Sequence, residues 1–355
     1  MGRFDAAQHV VEQAIAERAF PGAVVEVGTD RDVLWRFASG TLSYDAGALR
    51  VRDDTIYDLA SLTKVLSTAT LVMREIERGS MALDDVLPHL IPACRNPALA
   101  SITVEDLLAH CAGFPAYRPF YQTLAGEEAF EAAICATPLE YVPRSRSIYS
   151  DLGFMLLGIL LGRGASLQER FDAMWTQMAT GEELQFLPPE RWRTRTAPTE
   201  RDGWRQRLLA GEVHDENAAA LGGVAGHAGL FGTARAVGAF ARHLLQVLDG
   251  RTGVMAEASL RRFITKRDGV PGSSRALGWD TMLPTSSCGT RMSPSAFGHT
   301  GFTGTSLWLD PGTGIYVVFL TNRVHPTRDN VAIQQVRPAL HDAVMSEVRL
   351  PGAVR

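Results

Sequence analysis

The fold of this chain is decided around residues 58–64, which read Asp-Leu-Ala-Ser-Leu-Thr-Lys. Apolar residues follow helical spacing over 61–78, and a glycine ends the pattern. Two β-rich runs, 23–28 and 33–38, precede this segment, and the polar turn between them predicts an antiparallel hairpin. The segment therefore marks the point at which a β hairpin gives way to helices.

Beyond this segment, the middle of the chain is predicted to be helical and its end to be β-rich again. Helical spacing recurs in four segments before residue 223, where strong strand signals are absent: 103–109, 127–136, 152–161 and 167–178. Strand patterns return at 306–309 and 315–320, and terminal helices are predicted at about 4–19 and 330–348.

These elements predict an α/β fold of the α+β type, in which one antiparallel sheet is built from both chain termini. The two terminal helices flank the sheet, and an all-helical lobe is inserted between its halves. We predict that residues 1–80 and 224–355 form the sheet lobe and that residues 81–223 form the helical lobe. The functional site is expected in the cleft between them.

Composition describes an ordinary globular protein of 355 residues, 46% hydrophobic and 21% charged. The net charge of −4 gives no electrostatic reason to expect nucleic acid as a partner. The longest apolar run, 154–161, is far shorter than the roughly 20 residues that span a membrane. The N-terminus lacks a basic-then-apolar export signal. We expect a cytoplasmic protein, or a periplasmic one if an export signal has been removed, and predict no particular oligomeric state.

Two local patterns are interpreted as structural features and not as functional sites. The basic stretch 191–207 interleaves Arg with Trp, as in some nucleic-acid contacts, but its acidic neighbours favour a solvated surface loop. The cysteines form no Cys-x-x-Cys pair, so we expect neither a zinc ribbon nor a redox motif. They are interpreted as buried free thiols: Cys94, Cys111, Cys135 and Cys288.

Lysine is almost absent, since only Lys64 and Lys266 occur among 35 basic residues. Arginine stays charged at any working pH, whereas a desolvated lysine can lose its proton and act as a base. A spacing of three on one helix puts Ser61 and Lys64 on the same face. A serine in the first helical turn also faces unpaired N–H groups that suit a developing oxyanion. By itself, Ser-x-x-Lys recurs by chance, and an exposed lysine at a helix start explains it equally well.

Two further motifs give the pair a context. Tyr-Ser-Asp at 149–151 precedes an apolar helix, and alone it reads as a helix cap with Asp151 as the N-cap. His-Thr-Gly at 299–301 lies just before the C-terminal strands, and alone it reads as a glycine-rich turn. In the order Ser-x-x-Lys, Tyr-x-Asp, His-Thr-Gly, the three resemble the motifs of the serine β-lactamase and penicillin-binding-protein superfamily. The sequence elsewhere in the chain, such as Phe-Pro-Gly-Ala at 20–23, resembles the class C-like branch of this superfamily, which contains β-lactamase-related esterases and D-alanyl-D-alanine peptidases.

The resemblance implies a serine hydrolase that forms an acyl-enzyme with a small ester or amide substrate and uses no cofactor or metal. It implies that Ser61 is the nucleophile, that Lys64 helps remove its proton, and that Tyr149 is a second base that also activates the deacylating water. The backbone N–H groups of Ser61 and Phe302 would form the oxyanion hole. The remaining implied substrate-binding and supporting residues are Asp151, His299, Thr300 and Gly301.

Two residues depart from the family pattern. Asp151 stands where Asn is more common, and a carboxylate there would raise the pKa of Lys64. Tyr149 would then take more of the proton transfer, with Lys64 as a positioned charge that lowers the pKa of Tyr149. His299 stands where penicillin-directed members usually have Lys, and it is charged only partly at neutral pH. This predicts weak β-lactam turnover and better activity on uncharged acyl esters.

Several alternatives remain open at this point. A true class C-like β-lactamase and a non-catalytic penicillin-binding or sensor scaffold share the same motifs. An α/β hydrolase is disfavoured because no Gly-x-Ser-x-Gly occurs. A metal site from His214, Asp215 and His227 is conceivable, but no zinc-binding helix motif accompanies it. The glycine-rich segment 222–229 is interpreted as a tight inter-lobe connection that lines the cleft, and the loops around Arg118 and Trp192 as determinants of the substrate.

Overall fold

A six-stranded antiparallel sheet forms the centre of the computed structural model, which describes residues 3–348. The strands in these residues are β1 Gly22–Gly28, β2 Val33–Gly40, β3 Tyr57–Asp58, β4 Leu184–Phe186, β5 Arg201–Asp202, β6 Arg207–Leu208, β7 Leu230–Gly232, β8 Asp280–Thr281, β9 Phe297–Thr300, β10 Ser306–Asp310 and β11 Ile315–Thr321. The large sheet has the order β2-β1-β11-β10-β9-β8, so β1 pairs directly with β11. The predicted sheet from both chain ends and its hairpin are confirmed.

Eleven α-helices lie within the same residues: α1 Asp5–Ala16, α2 Thr70–Glu77, α3 Leu87–Leu90, α4 Val104–Leu108, α5 Glu127–Ala136, α6 Asp151–Leu161, α7 Leu167–Gln177, α8 Glu216–Ala220, α9 Ala234–Leu248, α10 Glu257–Ile264 and α11 Ile333–Glu347. All the predicted helices of the middle segment are present, with ends shifted by one residue at most. No helix among residues 3–348 is long and apolar enough to cross a membrane.

Both faces of the sheet are covered, as the alternation of side chains along β11 requires. Val317 and Phe319 belong to the cluster that packs under α1 and α11, whereas Val318 and Leu320 belong to the larger cluster on the opposite face. The sequence predicts the two terminal helices but not α9, which packs on β1 and β11 from that second side. A strand buried on both faces reads as a continuous apolar run, as β11 does.

The region predicted to be wholly helical also contains strands. β4 joins β3 and β7 in a three-stranded sheet, and β5 pairs with β6. These strands have only two or three residues each, too few to set up a pattern of period two. The proposed lobe boundaries at residues 80/81 and 223/224 stay a prediction.

The interpretation of all four cysteines as free thiols is wrong for two of them. Cys94 and Cys135 form a disulfide that ties a 3-10 turn at 92–94 to α5. Cys111 and Cys288 are buried free thiols, as predicted. The pairing is set by how α5 packs on that turn, and cysteines 41 residues apart carry no local spacing signal.

The stretch 191–207 is not simply a solvated loop. Trp192 is buried in a small apolar cluster with Ile56 and Phe231, next to the β5–β6 hairpin. Asp202 is buried as well, and it pairs with Arg205 at 2.7 Å. Asp202, one of the acidic residues that we interpret as signs of a solvated surface, is thus the partner of a nearly buried arginine, because a paired carboxylate can be taken out of water. Glu200 is buried as well, against His214 and Arg328, whereas Glu190 is exposed as expected.

Candidate active site

One cavity of about 770 Å³ brings together residues from three distant parts of the chain. Seven of the eight residues singled out from the sequence line it: Ser61, Tyr149, Asp151, His299, Thr300, Gly301 and Phe302. The eighth, Lys64, is fully buried beneath Ser61. The three motifs therefore converge on a single site.

The Ser61 segment is not the regular helix that the spacing predicts. Ala60–Leu62 forms a 3-10 turn, Lys64–Ala69 forms a π-helical turn, and the α-helix begins only at Thr70. Ala60 has a φ of +46°, in the left-handed region that costs a non-glycine residue roughly 1–2 kcal/mol. Asp58 supports this turn, since its carboxylate accepts a hydrogen bond from the Ala60 amide at 2.8 Å. Ser61 thus stands on a tight, strained turn, which periodicity of apolar residues cannot reveal.

Lys64 has three oxygen contacts at its ammonium group. Nζ lies 2.9 Å from Ser61 Oγ, 3.0 Å from the carbonyl oxygen of His227 and 2.7 Å from Asp151 Oδ1. Burial acts to lower the pKa of Lys64, but the Asp151 carboxylate, with help from Tyr149, outweighs it and the pKa is raised. Lys64 is therefore an ammonium at neutral pH, as the Asp at position 151 predicts.

Tyr149 is buried among aromatic and cationic groups. Its ring centroid lies 4.6 Å from that of His110 and 5.7 Å from that of His299. The Arg275 guanidinium is 5.2 Å from the same ring. Burial raises the pKa of Tyr149, and the opposing effects of Lys64 and Ser61 do not overcome it. Lys64 does act to lower this pKa, as predicted, but burial outweighs its effect, so Tyr149 is a neutral phenol.

Asp151 is the first residue of α6 rather than its cap. The N-cap is Ser150, whose Oγ accepts a hydrogen bond from the Leu152 amide at 3.3 Å and donates one to Pro115 O at 2.6 Å. This corrects the sequence interpretation, and the reason is geometric. With capping assigned to Ser150, the Asp151 carboxylate is free to point at Lys64.

His299 lies on β9 and is a neutral imidazole. Burial, together with the charges of Arg275 and Lys64, holds its pKa well below the usual range. Its Nδ1 is 2.9 Å from the Thr300 carbonyl oxygen, which can only accept, so Nδ1 carries the proton. Position 299 therefore supplies no positive charge to the cavity.

Sequence reasoning missed most of the cations around the cavity. Arg275, Arg323 and Arg337 all line it, and none has a carboxylate oxygen within 4.0 Å among residues 3–348. His110 is also buried beside Tyr149, and burial keeps its pKa well below the usual range. Arg323 lies in the stretch 320–326, which resembles the same family, but Arg275 and Arg337 belong to no motif, so no sequence signal distinguishes these two from the other arginines.

The remaining sequence predictions have mixed outcomes. His214 lies 2.8 Å from Glu200, and His227 lies 2.7 Å from Asp215, so the conceivable metal trio is split between separate pairs. No cluster of three such ligands able to hold a metal occurs in the described part of the chain. His227 and Ala228 line the cavity, as expected for the glycine-rich segment. Tyr117 and Tyr121 flank Arg118 and line it too, but buried Trp192 does not.

Comparison with known proteins identifies the class. The Beta-lactamase family model matches residues 7–341, and the chain belongs to this family, as a serine hydrolase. A putative D-alanyl-D-alanine carboxypeptidase of Escherichia coli K12 is 30% identical over 354 residues, covering 86% of this chain and 79% of the relative. A protein of the same description from Salmonella gallinarum is 30% identical over 339 residues, covering 82% and 75%.

Two solved structures share the fold. A penicillin-binding-protein homolog from Caulobacter crescentus superposes with a TM-score of 0.78 and 21% identity, covering 98% of both chains. EstCE1, described as a hydrolase with promiscuous acyltransferase activity, has a TM-score of 0.76 and 20% identity, covering 96% of this chain and 97% of its own. The predicted β-lactamase-like fold is therefore confirmed.

Proposed function

We propose that this protein hydrolyses a small ester or amide through an acyl-enzyme on Ser61. The observation that carries the proposal is the contact of buried Lys64 Nζ with both Ser61 Oγ, at 2.9 Å, and Asp151 Oδ1, at 2.7 Å. A serine hydroxyl is a weak nucleophile unless its proton has somewhere to go. Here a continuous path leads from the hydroxyl to a carboxylate.

The pKa directions support one assignment of the proton transfers in acylation. Lys64 starts as an ammonium, so it cannot take a proton without releasing one. We infer that Ser61 Oγ bonds to the substrate carbonyl carbon while its proton passes to Lys64, which passes one of its own to Asp151. Tyr149, a neutral phenol at rest, gives its proton to the leaving group as the bond to that group breaks.

Deacylation reverses these transfers and restores the site. The Tyr149 phenolate takes a proton from water, and the resulting hydroxide attacks the acyl carbon. The bond to Ser61 Oγ breaks, and Asp151 returns its proton through Lys64 to that oxygen. Every group then has its starting proton, and the net reaction is addition of water across the scissile bond.

The cavity favours a substrate that carries a carboxylate. Arg275 lies 5.2 Å from the Tyr149 ring and has no acidic partner within 4.0 Å in the described residues, so its guanidinium is available to a ligand. A peptide ending in D-alanyl-D-alanine fits this requirement, and the names of the curated relatives point to the same substrate. The expected preference for uncharged esters was based on the lack of a positive charge at His299. Arg275 supplies a positive charge from another position, so that reason for the preference no longer holds.

Intact-protein mass spectrometry tests the acyl-enzyme. A fluorophosphonate is expected to add one phosphonyl group to the wild type and none to Ser61→Ala. An adduct that persists in Ser61→Ala would refute the assignment of the nucleophile. With penicillin, a transient adduct fits an enzyme with weak β-lactam turnover, a permanent adduct fits a sensor scaffold, and turnover comparable with ester hydrolysis fits a true β-lactamase.

The substrate class is tested with a matched pair, a D-alanyl-D-alanine peptide with a free C-terminal carboxylate and the same peptide as its C-terminal amide. The wild type is expected to have a kcat/KM at least about tenfold higher for the carboxylate. Arg275→Met is expected to remove this preference while leaving the kcat/KM of the amide nearly unchanged. Equal loss on both peptides would refute carboxylate recognition by Arg275 without affecting the assignment of Ser61.

A further inference from the structure

Arg337 is a buried cation without a counter-charge. It lies on α11, is only 8% exposed and lines the cavity beneath the loop 301–305. Burial lowers its pKa to about 9, and no carboxylate oxygen lies within 4.0 Å of it among residues 3–348. Burying an unpaired charge is costly, so a compensating interaction is expected.

The partners of Arg337 are two backbone carbonyl groups of the third motif. Its terminal NH2 nitrogen donates hydrogen bonds to Gly301 O and to Thr305 O, both at 2.8 Å. Gly301 O belongs to the same planar peptide group as the Phe302 N–H. That N–H has no acceptor among the described residues, and Phe302 lines the cavity.

A cation bonded to one end of a peptide group affects the other end. Drawing electron density toward the carbonyl oxygen makes the N–H of the same peptide a stronger donor, since hydrogen bonds in series polarise one another. Arg337 is thus bonded to the peptide whose N–H is one of the two proposed oxyanion donors. The effect is largest where water is excluded, as it is around this buried side chain.

The same hydrogen bonds hold the loop in place. Gly301 N donates to Thr305 O at 2.7 Å, and Gly304 N donates to Gly301 O at 3.1 Å, so Arg337 closes a turn that is already tight. Thr305 Oγ1 donates to Leu59 O at 3.0 Å, which links the turn to the segment carrying Ser61. A Cβ on Gly301 would approach Leu59 O to 2.6 Å, so the two backbones are in direct contact.

We propose that Arg337 is a positioning residue of the oxyanion hole, which orients and polarises the Gly301–Phe302 peptide so that the Phe302 N–H stabilises the negative oxygen of the tetrahedral intermediate. This inference rests on the proposed acyl-enzyme mechanism. It predicts that Arg337 contributes to the rate of acylation and deacylation more than to the binding of substrate.

Arg337→Met tests the proposal, with Arg323→Met as the matched control. Arg323 is also buried, also lines the cavity and also bonds to this loop, but its Nε donates to Phe302 O, which belongs to the next peptide group. Removing a direct oxyanion donor costs about 10²–10³ in kcat, so loss of a group behind the donor should cost about tenfold. We expect that fall in kcat for Arg337→Met with KM within threefold, and a kcat within threefold of wild type for Arg323→Met.

Chemical rescue provides a readout that a merely structural role would not change. Guanidinium chloride at non-denaturing concentration is expected to restore much of the kcat of Arg337→Ala and to leave Arg323→Ala unaffected. A kcat unchanged in Arg337→Met, a loss confined to KM, or an equal loss in Arg323→Met would overturn the proposal. If Arg337→Met does not fold, the neutral variant Arg337→Gln decides: a kcat below wild type with unchanged KM supports the proposal, and full kcat overturns it.

The two proposals fail in different ways. If the wild type forms no adduct at Ser61, the acyl-enzyme mechanism itself fails. If the wild type forms the adduct and turns over ester while the Arg337 variants do so at the wild-type rate, only the role of Arg337 fails.

Discussion

Gly158 on α6 should be intolerant of even one added methyl group. A Cβ at this position would lie 2.5 Å from the Gly226 nitrogen and 2.6 Å from its Cα, whereas ordinary contact begins at 3.4 Å. The two backbones must therefore separate by about 0.9 Å in Gly158→Ala, the difference between 2.5 and 3.4 Å. The residue after Gly226 is His227, whose carbonyl oxygen accepts a hydrogen bond from Lys64 Nζ at 3.0 Å.

The expected cost follows from that displacement. Overpacking costs about 1–3 kcal/mol, and the better helix propensity of alanine recovers up to about 1 kcal/mol. We thus expect Gly158→Ala to lose up to about 2 kcal/mol in free energy of unfolding. A shift of that size takes Lys64 and His227 O out of hydrogen-bonding range, and a 1 Å misplacement can lower kcat/KM about 10²-fold.

Gly153→Ala is the matched control on the same helix. Its Cβ would meet Leu107 atoms at 3.4, 3.5 and 3.6 Å, which is ordinary contact. We expect kcat/KM within threefold of wild type and a stability equal or up to about 1 kcal/mol higher. Urea unfolding and hydrolysis of a p-nitrophenyl ester measure both quantities. Wild-type activity and stability in Gly158→Ala would refute the reasoning, as would equal losses in both variants.

Three other perturbations give separate outcomes. Asp151→Asn removes the proposed proton acceptor and also the carboxylate that raises the pKa of Lys64. If Asp151 receives the proton, the acid limb of kcat/KM moves to higher pH in the variant. If the wild type needs neutral Lys64, the limb moves to lower pH, so a pH–rate profile decides. Reduction of the Cys94–Cys135 disulfide, which closes a 41-residue separation, should lower the free energy of unfolding by about 4 kcal/mol, whereas a variant with both cysteines changed to Ala should not respond to the reductant. Ala60→Gly relieves the φ of +46° and should stabilise the protein by up to about 1 kcal/mol in thermal unfolding, and an unchanged or lower stability would contradict strain at this turn.

Much of the fold could be predicted from local sequence because its elements carry strong periodicity. The hairpin, β10, β11 and the helices of the middle segment all show it within one window. The strands β3 to β8 are too short for a pattern, and α9 lies in a segment that we leave unassigned. The strands that were missed are therefore very short, whereas α9 is a 15-residue helix whose apolar residues follow helical spacing and could have been predicted.

The residues of the candidate site also fall into those that the sequence predicts and those that only packing reveals. Ser61, Lys64 and Tyr149 could be found because they belong to spaced motifs, and the effect of Asp151 on Lys64 follows from a charge that the sequence states. Arg275 and Arg337 could not, since their roles depend on burial and on which carbonyl or ring each one faces. The net rise in the pKa of Tyr149 could not be predicted either, because desolvation depends on packing from all sides.

Because β1 pairs with β11, the central sheet can be completed only late in the synthesis of the chain. Gly28 leaves the ribosome long before its partner strand ends at Thr321, and at 5–20 residues per second the interval is about 15–60 s. Throughout that time one edge of β1 has only water or a chaperone to bond with, and open strand edges invite pairing with other chains. Because Phe302 precedes both β10 and β11, a nascent chain stopped before β11 carries every proposed catalytic group without the strand that holds the sheet together. Nearly complete translation products should therefore aggregate rather than hydrolyse.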